Sequence, residues 1–150
     1  MSPIRVGTAA PPISGVDFRP GPTAVVFYKV TCPVCQMAAP KVEVFERAYP
    51  GRIVGVGQDP LEALDAFSRE FGMGIPSVSD LPPYETSDAY GIEAVPTIFL
   101  VGADGVVLET VESWDRDGFN RVSARLAELT GRDPAIVSDA SDGLPAFRPG

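Results

Sequence analysis

The sequence contains no histidine and only two cysteines. Without histidine the chain cannot assemble a Cys–His or Ser–His nucleophile pair, a histidine-ligated metal or a histidine-held haem from its own residues. Two cysteines cannot complete a four-cysteine zinc site, so no metal is expected. Cations are scarce as well: 12 Lys+Arg stand against 20 Asp+Glu, a net charge of −8. Such a balance argues against nucleic acid as a partner, because phosphate binding needs clustered positive charge. The opening Met1-Ser2-Pro3-Ile4-Arg5-Val6 has no basic-then-apolar leader pattern. No apolar run approaches the roughly 18 residues that a membrane-crossing helix takes. The chain as written is therefore expected to be cytoplasmic, without a membrane span, and periplasmic if a signal segment was removed.

What is present points one way. The two cysteines form Cys32-Pro33-Val34-Cys35, preceded by the apolar run Ala24-Val25-Val26-Phe27-Tyr28 and followed by a helical pattern from Gln36 to Tyr49. A strand that ends in a turn carrying Cys-x-x-Cys at a helix start is the setting for dithiol/disulfide chemistry. One helical turn brings both sulfurs to the same helix end. The first cysteine then lies beside the unpaired N–H groups of the helix N-terminus, whose dipoles favour the reactive thiolate. In a cytoplasmic protein such a pair is more often catalytic than structural.

The 150 residues fit one domain with a full core, and 16 prolines and 15 glycines predict many turns. Residues 1–22 read as an N-terminal extension in which Ile13 to Phe18 is expected to form a short hairpin strand. Residues 23–131 read as the main domain. Thr23 to Lys29 is a buried central strand. The next helix opens near Pro33, where a missing N–H costs little. It is expected to bury Met37, Val44, Phe45 and Ala48 and to kink at Pro40. Arg52 to Gly57 is a second strand. Asp59 is the expected N-cap of a helix whose apolar stripe is Leu61, Leu64, Phe67 and Phe71. Ile75 to Val78 reads as a short strand and Ser87 to Tyr90 as a helical turn. Thr97 to Val101 and Val106 to Glu112 flank the hairpin signal Asp104-Gly105. Asp115 to Leu129 is the last helix, with Phe119, Val122, Leu126 and Leu129 facing inward. Residues 132–150 lack periodicity and read as an extended tail in which Leu144 and Phe147 can touch the body. The order predicts an α/β fold with a central mixed β-sheet flanked by helices.

This pattern resembles the thioredoxin fold, and within it the redoxin branch with the TlpA- and ResA-like thiol–disulfide oxidoreductases. The resemblance is carried by Phe27-Tyr28, Cys32-Pro33-Val34-Cys35, Pro40, Val54-Gly55-Val56, Tyr90-Gly91-Ile92, Val95-Pro96-Thr97 and Asp104-Gly105. It implies that Pro96 is cis and packs beside Cys32, and that the backbone of Val95 pairs with a substrate chain. It implies Cys32 as nucleophile and Cys35 as the resolving cysteine, with Thr31, Pro33, Val34, Val95 and Pro96 shaping the site. Three positions depart from the family. Its usual tryptophan before the first cysteine is Thr31, its Gly-Pro dipeptide is Pro33-Val34, and its buried acid, six residues before the first cysteine, is Val26. The proton acceptor for Cys35 therefore has to come from elsewhere, and Glu93, Asp59 and Lys29 are the candidates.

The implied activity is thiol–disulfide exchange: reduction or exchange of protein disulfides, a recycling reductase as second partner, no cofactor beyond the redox-active disulfide, and a monomer. With no charge contributed by Val34, Cys32 is expected to be less acidic, and the protein less oxidising, than the strong periplasmic oxidants. Two alternatives compete. A peroxiredoxin-like thiol peroxidase needs Pro-x-x-x-Thr-x-x-Cys, but Lys29 and Val25 stand at the threonine and proline places before Cys32, and Cys32 and Tyr28 before Cys35. A non-enzymatic thioredoxin-like module would instead hold a protein partner or Cu(I) between its thiolates.

Overall fold

The computed structural model describes residues 2–150. Its strands and helices follow in the order β1 (Thr23–Tyr28), α1 (Pro33–Ala48), β2 (Ile53–Gly57), α2 (Leu61–Phe71), β3 (Ser77–Ser79), α3 (Glu85–Ala89), β4 (Thr97–Val101), β5 (Val107–Glu112), β6 (Trp114–Asp115), α4 (Arg116–Thr130) and β7 (Phe147–Arg148). Five strands form one sheet in the order β3-β2-β1-β4-β5. β1, β2 and β3 run parallel, while β4 and β5 are antiparallel to their neighbours. The mixed sheet expected from the sequence, a crossover first and a hairpin last, is present.

β1 is the central strand, and its β-branched and aromatic residues are buried on both faces. Ala24, Val26 and Tyr28 point to the side covered by α1, α2 and α4, where Phe45, Leu64, Phe67, Phe119 and Leu126 pack. Val25 and Phe27 point to the other side, against Phe99, Tyr90 at the end of α3, and Ile13. That second face is closed by irregular chain. Residues 13–18 do not form the expected strand: Val16 N–H bonds back to Ile13 C=O in a turn. Among the described residues the N-terminal segment forms no strand; it makes an isolated bridge, Ala9 to Val106, with backbone bonds from Gly7 N–H to Val107 C=O, Val107 N–H to Thr8 C=O and Ala10 N–H to Gly105 C=O, and Tyr90 Oη donates to Pro11 C=O at 2.6 Å. Beyond those bonds, Ile13 holds the segment by its burial.

Other boundaries and faces shift for local reasons. α1 buries Val34, Cys35, Ala38, Ala39, Val42 and Phe45, a three-and-four spacing. Met37, Val44 and Ala48, expected on that face, are only partly buried at its margin. The helix runs on past Pro40 to end at Tyr49. β3 starts at Ser77 rather than Ile75, because Pro76 can accept from Gly55 N–H but has no N–H to pair. α2 is capped by Pro60 without a side-chain bond, and Asp59 is not its N-cap. The Asp59 carboxylate turns instead to Val30 N–H at 2.9 Å. Leu64 and Phe67 hold α2 to the sheet, whereas Leu61 is exposed. In α4 the inner face is Phe119, Val122, Ser123, Leu126 and Ala127, and Leu129 lies exposed beyond it.

The segment 132–150, expected as an extended tail, is mostly irregular and fixed to the body. It returns along α4, held by side-chain bonds to backbone: Asn120 Oδ1 accepts from Val137 N–H and Ser138 N–H, and Asn120 Nδ2 donates to Ser138 C=O. Asp142 bridges Lys41 of α1 at 2.9 Å and Arg116 of α4 at 3.5 Å. Its carboxyl is held below the usual range, first by the Ser138 hydroxyl, then by the Leu144 N–H and Lys41. Phe147–Arg148 then pairs antiparallel with Trp114–Asp115. Phe147 itself is exposed, while Leu144 packs on the body.

Candidate functional site

The site is built where β1 hands over to α1. Lys29 C=O accepts from Cys32 N–H at 3.2 Å, closing the turn. Two side chains fix the loop from outside: Gln36 Nε2 donates to Val30 C=O at 3.0 Å, and Asp59 accepts from Val30 N–H. Cys32 is then the N-cap of α1, in extended backbone, with Pro33 at the first helical position. Its sulfur takes the place usually filled by a capping oxygen and accepts from Cys35 N–H at 3.3 Å. No acidic residue occupies the first turn, so nothing there opposes a negative charge at the helix N-terminus.

The two sulfurs share this end with unequal exposure. Cys32 is half-buried, Cys35 is 3% exposed, and both are free thiols. The Cys35 thiol donates toward Cys32 and pulls its pKa down to about 6, with further help from the N–H groups of Cys35 and Val34 and the charge of Arg148; desolvation opposes the shift. Cys35 moves the opposite way. Its proton serves the Cys32 sulfur and its thiol is desolvated, so its pKa rises far above the ordinary range. One cysteine is thus ready to attack at neutral pH while the other keeps its proton.

A second element completes the wall. The Val95–Pro96 bond is cis, and it presents the Val95 carbonyl to Cys32, whose thiol in its protonated form donates to it at 3.4 Å. Pro96 is buried, Val95 partly so. The expected site residues therefore fall into two groups. Cys32, Cys35 and the Val95 carbonyl meet, with Pro96 buried next in the chain and Val34 buried, while Thr31 and Pro33 are exposed. Of the proton-acceptor candidates, Glu93 and Lys29 are exposed. Asp59 lies at the loop and its charge reaches Cys35. Two residues absent from the sequence reading also border the site. Arg148 and Gly150 arrive from the returning segment, which carries no periodicity to signal where it goes.

Titration of the thiolate tests this electrostatic arrangement. Ultraviolet thiolate absorbance of the reduced protein is expected to rise with a midpoint near pH 6. In Cys35→Ala, which removes the largest cause, the midpoint should move up toward the ordinary thiol value of about 8.5. A midpoint that stays put would assign the shift to the helix N-terminus alone. Because ionisation is favoured in the folded state, it stabilises the reduced protein fully above the ordinary thiol value. That contribution is lost as pH falls through about 6.

The fold is one seen in several solved structures. The thioredoxin domain of a thiol-disulfide oxidoreductase from Bacteroides vulgatus superposes with a TM-score of 0.70 at 22% identity, covering 82% of this chain and 99% of that one. A secreted disulfide oxidoreductase of Mycobacterium tuberculosis gives 0.63 at 20% identity, covering 83% and 96%. A thiol:disulfide interchange protein of the thioredoxin family from Chlorobium tepidum gives 0.64 at 22%, covering 82% and 98%. Among curated proteins none matches the chain. The AhpC/TSA family model matches residues 8–110, from before β1 into β5, including both cysteines and the Val95–Pro96 turn. The chain belongs to the AhpC/TSA family.

Proposed function

We propose that this protein is a thiol–disulfide oxidoreductase that reduces disulfides in protein substrates through Cys32 and Cys35. The observation that carries the reading is the geometry of two free thiols at one helix end: Cys32 caps α1, half-buried beside the Val95 carbonyl, with Cys35 buried one turn on, an arrangement that lowers the pKa of the first and raises that of the second. The Cys32 thiolate attacks one sulfur of a substrate disulfide. A bond forms between Cys32 and that sulfur, and the other sulfur leaves as a thiolate that takes a proton from water. Cys35 then loses its proton, attacks Cys32 and expels the second substrate thiolate. The substrate has gained two electrons and two protons, and the pair is left as a disulfide for a reductase to restore.

Asp59 is the group best placed to take the Cys35 proton, since Val26 leaves no acid on β1. A thiol near about 6 lies closer to the roughly 7 of thioredoxin than to the roughly 3.5 of a strong oxidant, which favours the reducing direction. The fold shared with a secreted oxidoreductase supports the periplasmic one of the two expected compartments. No helix among the described residues is long and apolar enough to cross a membrane.

A side-by-side assay separates disulfide from peroxide as the oxidant. With dithiothreitol as electron donor, the protein is expected to accelerate insulin reduction and to leave hydrogen peroxide consumption at the background rate. Asp59→Asn should slow the insulin reaction while leaving the Cys32 titration in place. Rapid, Cys32-dependent loss of peroxide with no effect on insulin would overturn the assignment.

A further inference from the structure

Residues 147–150 lie against the site rather than in solvent. The segment is firmly tied up to Ala146: Trp114 Nε1 donates to Pro145 C=O at 2.7 Å, Arg116 Nη2 to Leu144 C=O at 2.7 Å, and Arg116 N–H to Ala146 C=O at 2.9 Å. Beyond that point the hold is slight. Phe147–Arg148 makes a two-residue ladder with β6, every residue from 147 to 150 is exposed, and Gly150 N–H donates to Ser113 Oγ at 3.0 Å. Arg148 Nη1 stands 3.8 Å from Met37 Sδ on α1, and its charge is among those that reach Cys32.

Gly150 makes the closest approach. A Cβ added to it would sit 1.8 Å from the Val95 carbonyl oxygen and 2.6 Å from the Val95 carbonyl carbon. No side chain fits there, and the obstacle is backbone that cannot step aside. The same Val95 oxygen accepts from Cys32. Glycine at position 150 thus covers the backbone edge next to the reactive sulfur, and it does so from an anchored segment in which residues 147–150 make few bonds.

We propose that residues 147–150 form a substrate-selecting strap. They occupy the Val95 edge in the resting protein, pass small disulfides to Cys32, and have to be displaced by an extended protein segment that seats on Val95. The inference rests on the oxidoreductase reading for its consequence in turnover, but the strap's position can be tested without it.

Gly150→Val cannot keep its seat and leaves the cysteines, Val95 and Pro96 untouched. Two measurements read it. In labelling of Cys32, wild type is expected to react several-fold faster with N-ethylmaleimide than with a polymer-linked maleimide, and Gly150→Val should reduce that ratio at least threefold. In turnover, the variant should reduce insulin threefold or more faster than wild type, with its rate on hydroxyethyl disulfide within twofold. An unchanged labelling ratio overturns the strap whatever the activity. A changed ratio in a protein that turns over neither disulfide keeps the strap and removes the oxidoreductase reading. Circular dichroism of the variant, expected to match wild type because Gly150 lies outside the core, excludes misfolding as the cause of a faster label.

Discussion

Cys32→Ser is expected to lower dithiothreitol-dependent insulin reduction by roughly three orders of magnitude or more, the scale of loss when a covalent nucleophile is removed. A serine hydroxyl at the same helix end is not ionised at neutral pH, and the chain has no histidine to pair with it as a base. Cys35→Ser should behave differently. The first attack needs only the Cys32 thiolate, and a serine hydroxyl can still donate to it. Resolution needs the Cys35 sulfur, so the reaction should stop at a mixed disulfide. Intact-mass measurement after mixing with a disulfide peptide is expected to show one peptide attached to Cys35→Ser, released by dithiothreitol, and none on Cys32→Ser. A binding module, whether for a protein partner or for Cu(I), predicts no thiol-dependent turnover in wild type or either variant. Adducts on Cys32→Ser at the yield expected for Cys35→Ser would reverse the roles of the two cysteines, against the burial of Cys35.

The parts of the fold that the sequence disclosed are those set by short-range patterning. β1 shows as an unbroken apolar run because both its faces are buried, and the β4–β5 hairpin shows because Asp104-Gly105 supplies the turn, Gly105 at φ +79°. The pairing of the cysteines with a helix start shows because Pro33 marks the first helical position. What escaped is held by contacts remote in sequence. Residues 4–18 cover the second sheet face without a ladder, so no alternation marks them. Residues 132–150 return to the body through Asn120, Arg116 and Asp142, polar side chains that read as solvated surface until their backbone partners are known. Asp59 was legible as a residue with a role, but the proline beside it suggested a helix cap. The demand it meets is a loop N–H at Val30, 29 positions earlier. The cis geometry at Val95–Pro96 came from the resemblance, since composition carries no sign of it.

Trp114→Ala is expected to be the most destabilising single change outside the site. Trp114 is fully buried, its ring meets Phe119 edge-on with centroids 4.6 Å apart, and its indole N–H holds Pro145 C=O. Truncating a buried tryptophan costs about 3–5 kcal/mol, a large share of the roughly 5–15 kcal/mol of a typical domain. The new cavity would lie between α1, α4 and the returning segment, and the Pro145 carbonyl would lose its donor. Guanidinium unfolding should show a lower midpoint at unchanged slope. Circular dichroism is the probe to use, because this is the chain's single tryptophan and the variant has no indole fluorescence. Trp114→Phe keeps an aromatic ring and much of the volume while deleting the N–H with part of the indole, so it should cost less stability than alanine while still loosening residues 145–150. The two substitutions then separate packing from tethering: a large loss for alanine with polymer-maleimide access to Cys32 opened by both variants is the expected pattern. A loss below about 1 kcal/mol for alanine would mean that the returning segment and the body are not one cooperative unit, and unchanged access in both variants would mean that the Trp114–Pro145 bond does not hold Gly150 at the site.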